Sequence, residues 1–213
     1  MTDEERRFEY IENFGCDEDD VLMALVREAS ITQIHPRMMS GRFQGNLLAM
    51  LIGMCGAKKV LEIGTYVGYS AICMARALPD DGHLTTLEVN DEIEWLSAKY
   101  FKKSGLDSKI TQIVGDALEI IPRLEDGSFD IAFIDGDKRE YIQYFDAVFP
   151  KVVPGGLIIA DNVIWYDKIF TKPASNDYMT QGIIAFNEYI RNRSDLQKII
   201  LPVRDGLMLI RKK

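Results

Sequence analysis

The stretch Lys58-Lys59-Val60-Leu61-Glu62-Ile63-Gly64-Thr65-Tyr66-Val67-Gly68-Tyr69-Ser70 decides the fold of this chain. Val60 to Ile63 is a short, mostly apolar run of the kind a buried parallel strand shows. Glycines follow at i and i+4, Gly64 and Gly68. Ser70 to Leu78 then reads as a helix that Pro79 stops. Strand, glycine turn and helix in succession define the carboxyl edge of an open α/β sheet, where ligands bind. The dinucleotide fingerprint G-x-G-x-x-G needs a middle glycine that is absent here. Glu62, just before the turn, repels a diphosphate and suits a cationic or hydroxyl-rich ligand. An ordinary βα turn, its glycines serving tight packing, is the plainer alternative.

The whole chain supports that α/β reading. At 213 residues it can bury a good core, so one domain over 1–213 is expected. A hydrophobic fraction of 47% is ordinary for a globular protein, and a net charge of −8 argues against non-specific nucleic-acid binding. Cys16, Cys55 and Cys73 are odd in number and form no C-x-x-C, which suggests buried thiols in a reducing compartment. Met1 to Tyr10 has no apolar signal region, and no run reaches the length of a membrane span. A soluble cytoplasmic protein is the expectation.

Residues 1–57 read as helices. Thr2 to Asn13 is polar, the run Asp17-Glu18-Asp19-Asp20 opens a helix through Ala29, and Gln44 to Met54 forms another. Ile34 to Gly41 is the connector. These helices could cover the ligand edge as a lid and acceptor wall, or simply form a packing layer. Downstream, His83 to Val89 is a strand carrying Glu88, which stands 24 residues after Gly64. An acid at about that spacing can accept both ribose hydroxyls of an adenosine, or it is a solvated strand-end carboxylate. A helix from Glu92 to Ser104 follows, with Trp95 and Leu96 expected on its inner side. Lys109 to Val114 is the next strand, with Asp116 at the same edge, and Ala117 to Leu124 reads as a short helix despite Pro122.

The chemistry gathers at two later strand ends. Phe129 to Ile134 ends in Asp135-Gly136-Asp137-Lys138; after a helix and a turn at Pro154-Gly155-Gly156, Leu157 to Ala160 ends in Asp161-Asn162. Consecutive strands of a right-handed β-α-β unit normally lie side by side, about 4.8 Å apart. Asp135, Asp161 and Asn162 then meet as hard oxygen donors, a set that suits Mg²⁺, with Ca²⁺ or Mn²⁺ as further options. Lys138 shares a helix face with Asp135 if a helix begins there. A lysine beside a divalent cation favours its neutral amine, which can act as a general base. The bland alternative is an exposed lysine pairing with Asp137.

On these residues the chain resembles the cation-dependent class I O-methyltransferases, the family of catechol and caffeoyl-CoA O-methyltransferases. The carriers are E-I-G-x-x-x-G-Y-S at Glu62 to Ser70, the Asp135 to Lys138 segment, and Asp161-Asn162. The resemblance implies a Rossmann-like α/β fold, a seven-stranded, mostly parallel sheet with helices on both faces. It implies S-adenosyl-L-methionine as cofactor, with Ser40, Glu62, Gly64, Ser70, Glu88, Asp116, Ala117 and Asp135 at cofactor positions. Asp135, Asp161 and Asn162 match the metal ligands; Lys138 and Asp135 match catalytic positions; Met38, Lys138 and Trp165 match the acceptor side. Asp137 stands where the catechol enzyme has tryptophan. Lys198 to Val203 and Leu207 to Arg211, around Asp205-Gly206, read as the family's C-terminal antiparallel hairpin.

The expected activity is methyl transfer to a hydroxyl of a catechol-like small molecule. Trp165 to Gly182 would be the acceptor gate, although Trp165 could equally fill the core. A homodimer follows by resemblance only. The competing acceptor is a hydroxyuridine of tRNA, for which Arg37, Arg42, Lys168 and Lys172 could supply a local basic patch. A non-catalytic nucleotide-binding domain is a third reading, and an NAD dehydrogenase a fourth.

Overall fold

The computed structural model describes residues 3–17 and 19–213, so Met1, Thr2 and Glu18 of the readings above lie outside the described residues. Strand side chains alternate between faces, and here both faces are apolar. Val60, Leu84, Ile110, Ile131, Phe133 and Ile159 point into one core; Leu61, Ile63, Leu87, Ala132, Ile134 and Ile158 point into another. A sheet with two apolar faces must be covered by helices on both.

Among the described residues the strands are β1 (Lys59–Ile63), β2 (His83–Glu88), β3 (Ile110–Val114), β4 (Phe129–Ile134), β5 (Val152–Ala160), β6 (Leu196–Leu201) and β7 (Leu207–Lys212). They form one sheet in the order β3-β2-β1-β4-β5-β7-β6. β1 to β5 pair in parallel, and β7 runs antiparallel to both β5 and β6. The strand order reverses between β1 and β4, and that switch point is where an open α/β sheet leaves a crevice. The expected seven-stranded architecture and C-terminal hairpin are both present.

The helices are α1 (Asp3–Gly15), α2 (Asp20–Thr32), α3 (Gly41–Cys55), α4 (Tyr69–Ala77), α5 (Glu94–Lys103), α6 (Ala117–Ile120), α7 (Tyr141–Val148) and α8 (Tyr178–Arg191). Asp19 starts α2 by accepting the Leu22 N–H at 2.9 Å, as the acidic run foretold. Leu22, Leu25 and Ala29 of α2 and Leu48 and Ile52 of α3 are buried in the core on one face of the sheet, α3 packing on α4 and α2 on α5. Each of these leucine and isoleucine side chains contributes about 1.5–3 kcal/mol by leaving water. Their connector, with a 3-10 turn at Pro36–Met38, reaches the strand tips, where the Tyr66 hydroxyl donates to His35 O at 3.1 Å.

Three expectations are corrected. Of the cysteines only Cys73 is buried; Cys16 is half-buried and Cys55, near the end of α3, is exposed. Trp95 is half exposed beside Lys99, while Leu96 alone faces the core; neighbouring residues on a helix lie about 100° apart, and only one fits the inner face. Pro154-Gly155-Gly156 is not a separate turn before β5 but lies inside it. Phe129 pairs with Val152 and Ile131 with Leu157, so Pro154, Gly155 and Gly156, with Val153 before them, bulge out opposite Asp130 between two paired segments.

Candidate active site

Register alone brings the carboxylates together. Ile134 pairs with Ala160, so Asp135 and Asp161 leave the sheet side by side, and the Asp161 N–H donates to Ile134 O at 3.0 Å. Across the switch point the Asp135 N–H donates to Ile63 O at 2.8 Å, which sets Asp135 against Gly64. Gly64 has φ +99°, and a Cβ there would collide with the Asp135 carbonyl oxygen. Only glycine lets the two strand ends approach so closely.

Lys138 does not pair with Asp137. It is 6% exposed, and its Nζ lies 2.7 Å from Asp135 Oδ1 and 2.6 Å from the Tyr141 hydroxyl. Asp137 instead caps the following turn through the Arg139 N–H and pairs with that guanidinium. The Tyr141 hydroxyl donates to Asp161 O at 3.0 Å. Burial, then the charge of Asp135, holds the Tyr141 pKa well above the ordinary phenol range, so it stays neutral. Tyr141 was missed in the sequence because it reads there only as an apolar position of α7.

Asp161 is 4% exposed. Its Oδ1 accepts the Asn162 N–H at 2.8 Å and its Oδ2 accepts Gln44 Nε2 at 2.7 Å. Burial, and after it the charge of Asp135, pushes the Asp161 carboxyl up to about 6, with Lys138 pulling the other way. Two adjoining carboxylates beside one lysine, with Asn162 next in sequence, are rich in hard donors and short of positive charge. That donor set fits a divalent cation.

On the other side of Gly64 a narrow cleft is lined by Met38, Ser40, Gly64, Thr65, Tyr66, Ser70 and Asp135, among others. Glu62 is fully buried beneath it. Ser70 Oγ donates to one of its oxygens, and Thr86 Oγ1 donates to the other at 2.6 Å; Thr65 Oγ1 lies 2.6 Å from Thr86 Oγ1. Burial outweighs these bonds and raises the Glu62 carboxyl to about 8. Glu62 is therefore mostly protonated at neutral pH, and the acid-rich field expected at this edge is weaker by that one charge. Glu88 accepts the Tyr66 N–H at 2.6 Å and the Asn90 N–H at 2.9 Å, which fixes it at the tip of β2. Its oxygens keep further lone pairs for a hydroxyl-bearing ligand. Asp116 caps α6 through the Leu118 N–H at 2.8 Å, and Ala117 is buried behind it. Neither lines the narrow cleft.

The turn is unsuited to a diphosphate. The N–H groups of Gly64 and Thr65 donate to Leu87 O, that of Gly68 to Thr65 O, and that of Tyr66 to Glu88. A phosphate cradle needs such donors free. A cleft of this kind fits a cationic, hydroxyl-bearing cofactor better than NAD.

Because the folded pKa of Glu62 lies above its ordinary 4.5, the folded chain holds a proton there that the unfolded chain releases between about pH 4.5 and 8. Its contribution to stability is full below that window and lost as pH rises through it. Glu62→Gln should flatten the fall of Tm with pH between 5 and 8. A slope identical to wild type in thermal melts would contradict this.

Trp165 is half-buried against the core that also holds Tyr141, and Lys138 Nζ lies 6.0 Å from its ring centroid. It packs on the core, as one of the two sequence alternatives had it, and its ring also faces the lysine. Trp165, Tyr166 and Asp167 have φ of +50°, +54° and +58°, a conformation costly for side chains other than glycine. Asp205 on the β6–β7 turn holds it by accepting the Tyr166 N–H at 2.5 Å. Of the presumed basic patch, Arg42 is turned to Glu12 and Asn13, and Lys168 to Asp177. A separate groove of about 430 Å³ between α8 and β6 is walled by Ile184, Ile199 and Ile200. No helix among the described residues is long and apolar enough to cross a membrane.

Comparison with known proteins adds four findings. Residues 12–213 match the family model described as O-methyltransferase. A catechol O-methyltransferase of Niastella koreensis is 36% identical over 203 residues, covering 92% of this chain and 91% of the relative. Caffeoyl-CoA O-methyltransferase 2 of Zea mays is 34% identical, with 85% and 74% covered. Among solved structures, the O-methyltransferase TomG of Streptomyces achromogenes, in complex with SAM, superposes with a TM-score of 0.91 at 30% identity over 100% of both chains.

Proposed function

Because the chain belongs to the O-methyltransferase family, we propose that it moves the methyl group of S-adenosylmethionine to one hydroxyl of a catechol-like small molecule, with a divalent cation at the strand tips. The observation that carries this reading is the in-register pair Asp135 and Asp161 with Lys138 Nζ 2.7 Å from Asp135 Oδ1. Relatives named for catechol and caffeoyl-CoA support the acceptor class.

Each residue then has a task. Asp135, Asp161 and Asn162 would hold the cation, Mg²⁺ by the hardness of the donors. When bound, it supplies positive charge that favours an ionised acceptor hydroxyl. The cofactor supplies a methyl group on a sulfonium. Ser40, Gly64, Ser70 and Glu88 line or flank its cleft, Met38 and Trp165 wall the acceptor side, and Asp116 and Ala117 stand at the outer, adenine end. As a neutral amine, Lys138 would have two N–H bonds, which Asp135 and Tyr141 take, and one lone pair. That lone pair is left to take the acceptor's proton at Nζ. Holding donor and acceptor in one orientation supplies much of the remaining acceleration.

The test is methyl transfer from labelled S-adenosylmethionine, with Mg²⁺ present, to a panel of catechols, monophenols and bulk tRNA. Transfer to vicinal diols, and not to monophenols or tRNA, is expected. Labelling of tRNA alone, falling steeply with salt, would replace the catechol reading with the tRNA one.

A further inference from the structure

Gln44 is a polar residue in the first turn of α3, yet it is only 1% exposed. Its Nε2 donates to Asp161 Oδ2 at 2.7 Å, across 117 positions of sequence. Asp161 Oδ1 is held from the other side by the Asn162 N–H at 2.8 Å. The carboxylate is therefore gripped at both oxygens and cannot turn about its own axis without breaking a buried bond. At the far end of the amide, Arg204 Nη1 lies 3.4 Å from Gln44 Oε1 and donates to Met39 O at 3.2 Å. One amide thus links the connector, the β5 tip and the β6–β7 turn.

The residue type is informative. A lysine here would neutralise Asp161 and compete with any cation. A glutamate would add a third carboxylate to a crowded edge. An apolar side chain would leave Oδ2 buried without its donor. A carboxamide holds the carboxylate and leaves its charge unspent.

We propose that Gln44 is a positioning residue for the cation: it fixes the orientation in which Asp161 presents its oxygens, without contributing charge. This rests on the reading that Asp135, Asp161 and Asn162 take up a divalent ion. Removing a hydrogen-bond partner of a metal-ligating side chain typically weakens metal binding about 10–100-fold.

The experiment is a Mn²⁺ titration of the full chain at saturating S-adenosylmethionine and without acceptor, following free Mn²⁺ by electron paramagnetic resonance. Wild type, Gln44→Leu, Gln44→Met and Asp161→Ala are compared, and S-adenosylmethionine affinity is measured separately by calorimetry. Both Gln44 variants should bind Mn²⁺ about 10–100-fold more weakly with cofactor affinity unchanged. Methionine matches glutamine in length, which keeps the test available if the leucine variant folds poorly. Wild-type Mn²⁺ affinity in both variants, or an equal loss of cofactor and Mn²⁺ affinity, overturns the role of Gln44. Mn²⁺ bound equally by wild type and Asp161→Ala overturns the cation reading itself.

Discussion

Replacing Lys138 by methionine should lower kcat by about 10²–10⁴-fold, the usual worth of a positioned general base, while S-adenosylmethionine binds as before. The geometry gives the reason. Lys138 is buried, its Nζ is fixed by Asp135 and by a neutral Tyr141, and it faces the ring of Trp165. Methionine fills the same channel but has neither donor nor basic lone pair. The residual rate should climb with pH, because an acceptor that ionises in solution no longer needs the base. Steady-state kinetics across pH, paired with calorimetric cofactor binding, check this. An unchanged kcat would remove Lys138 from the chemistry.

A comparable loss is expected on removing divalent cations. With excess EDTA, turnover should fall by about 10³-fold or more, since the charge supplied to an ionising hydroxyl is worth several kcal/mol. Cofactor affinity should largely persist, because the cleft by Ser40, Gly64 and Ser70 lies on the opposite side of Asp135 from Asp161 and Asn162. Added Mg²⁺ should restore the rate. Full activity in chelator would leave Asp135 and Asp161 without their proposed task.

What the sequence made legible follows from where the determinants lie. β4 could be read to the residue because Phe129 to Ile134 is buried on both faces, and such strands write themselves as apolar runs. Asp135, Lys138 and Asp161 were legible because strand tips are short in sequence and close in space. Gln44 was not, since its partner is 117 positions away and a lone glutamine in a helix has no pattern. The near-neutral pKa of Glu62 was equally hidden, because it depends on complete burial, which no local spacing encodes. Trp95 was misplaced because, next to Leu96 in a ten-residue helix, either residue could define the inner face. The bulge at Pro154 to Gly156 was read as a turn because proline and glycine punctuate both.

The most direct measurement is anomalous diffraction from a crystal grown with Mn²⁺, S-adenosylhomocysteine and a catechol. The account predicts one strong peak within about 2.0–2.4 Å of oxygens from Asp135, Asp161 and Asn162, with a catechol oxygen facing Lys138. A peak elsewhere, or none while the catechol is bound, would contradict it.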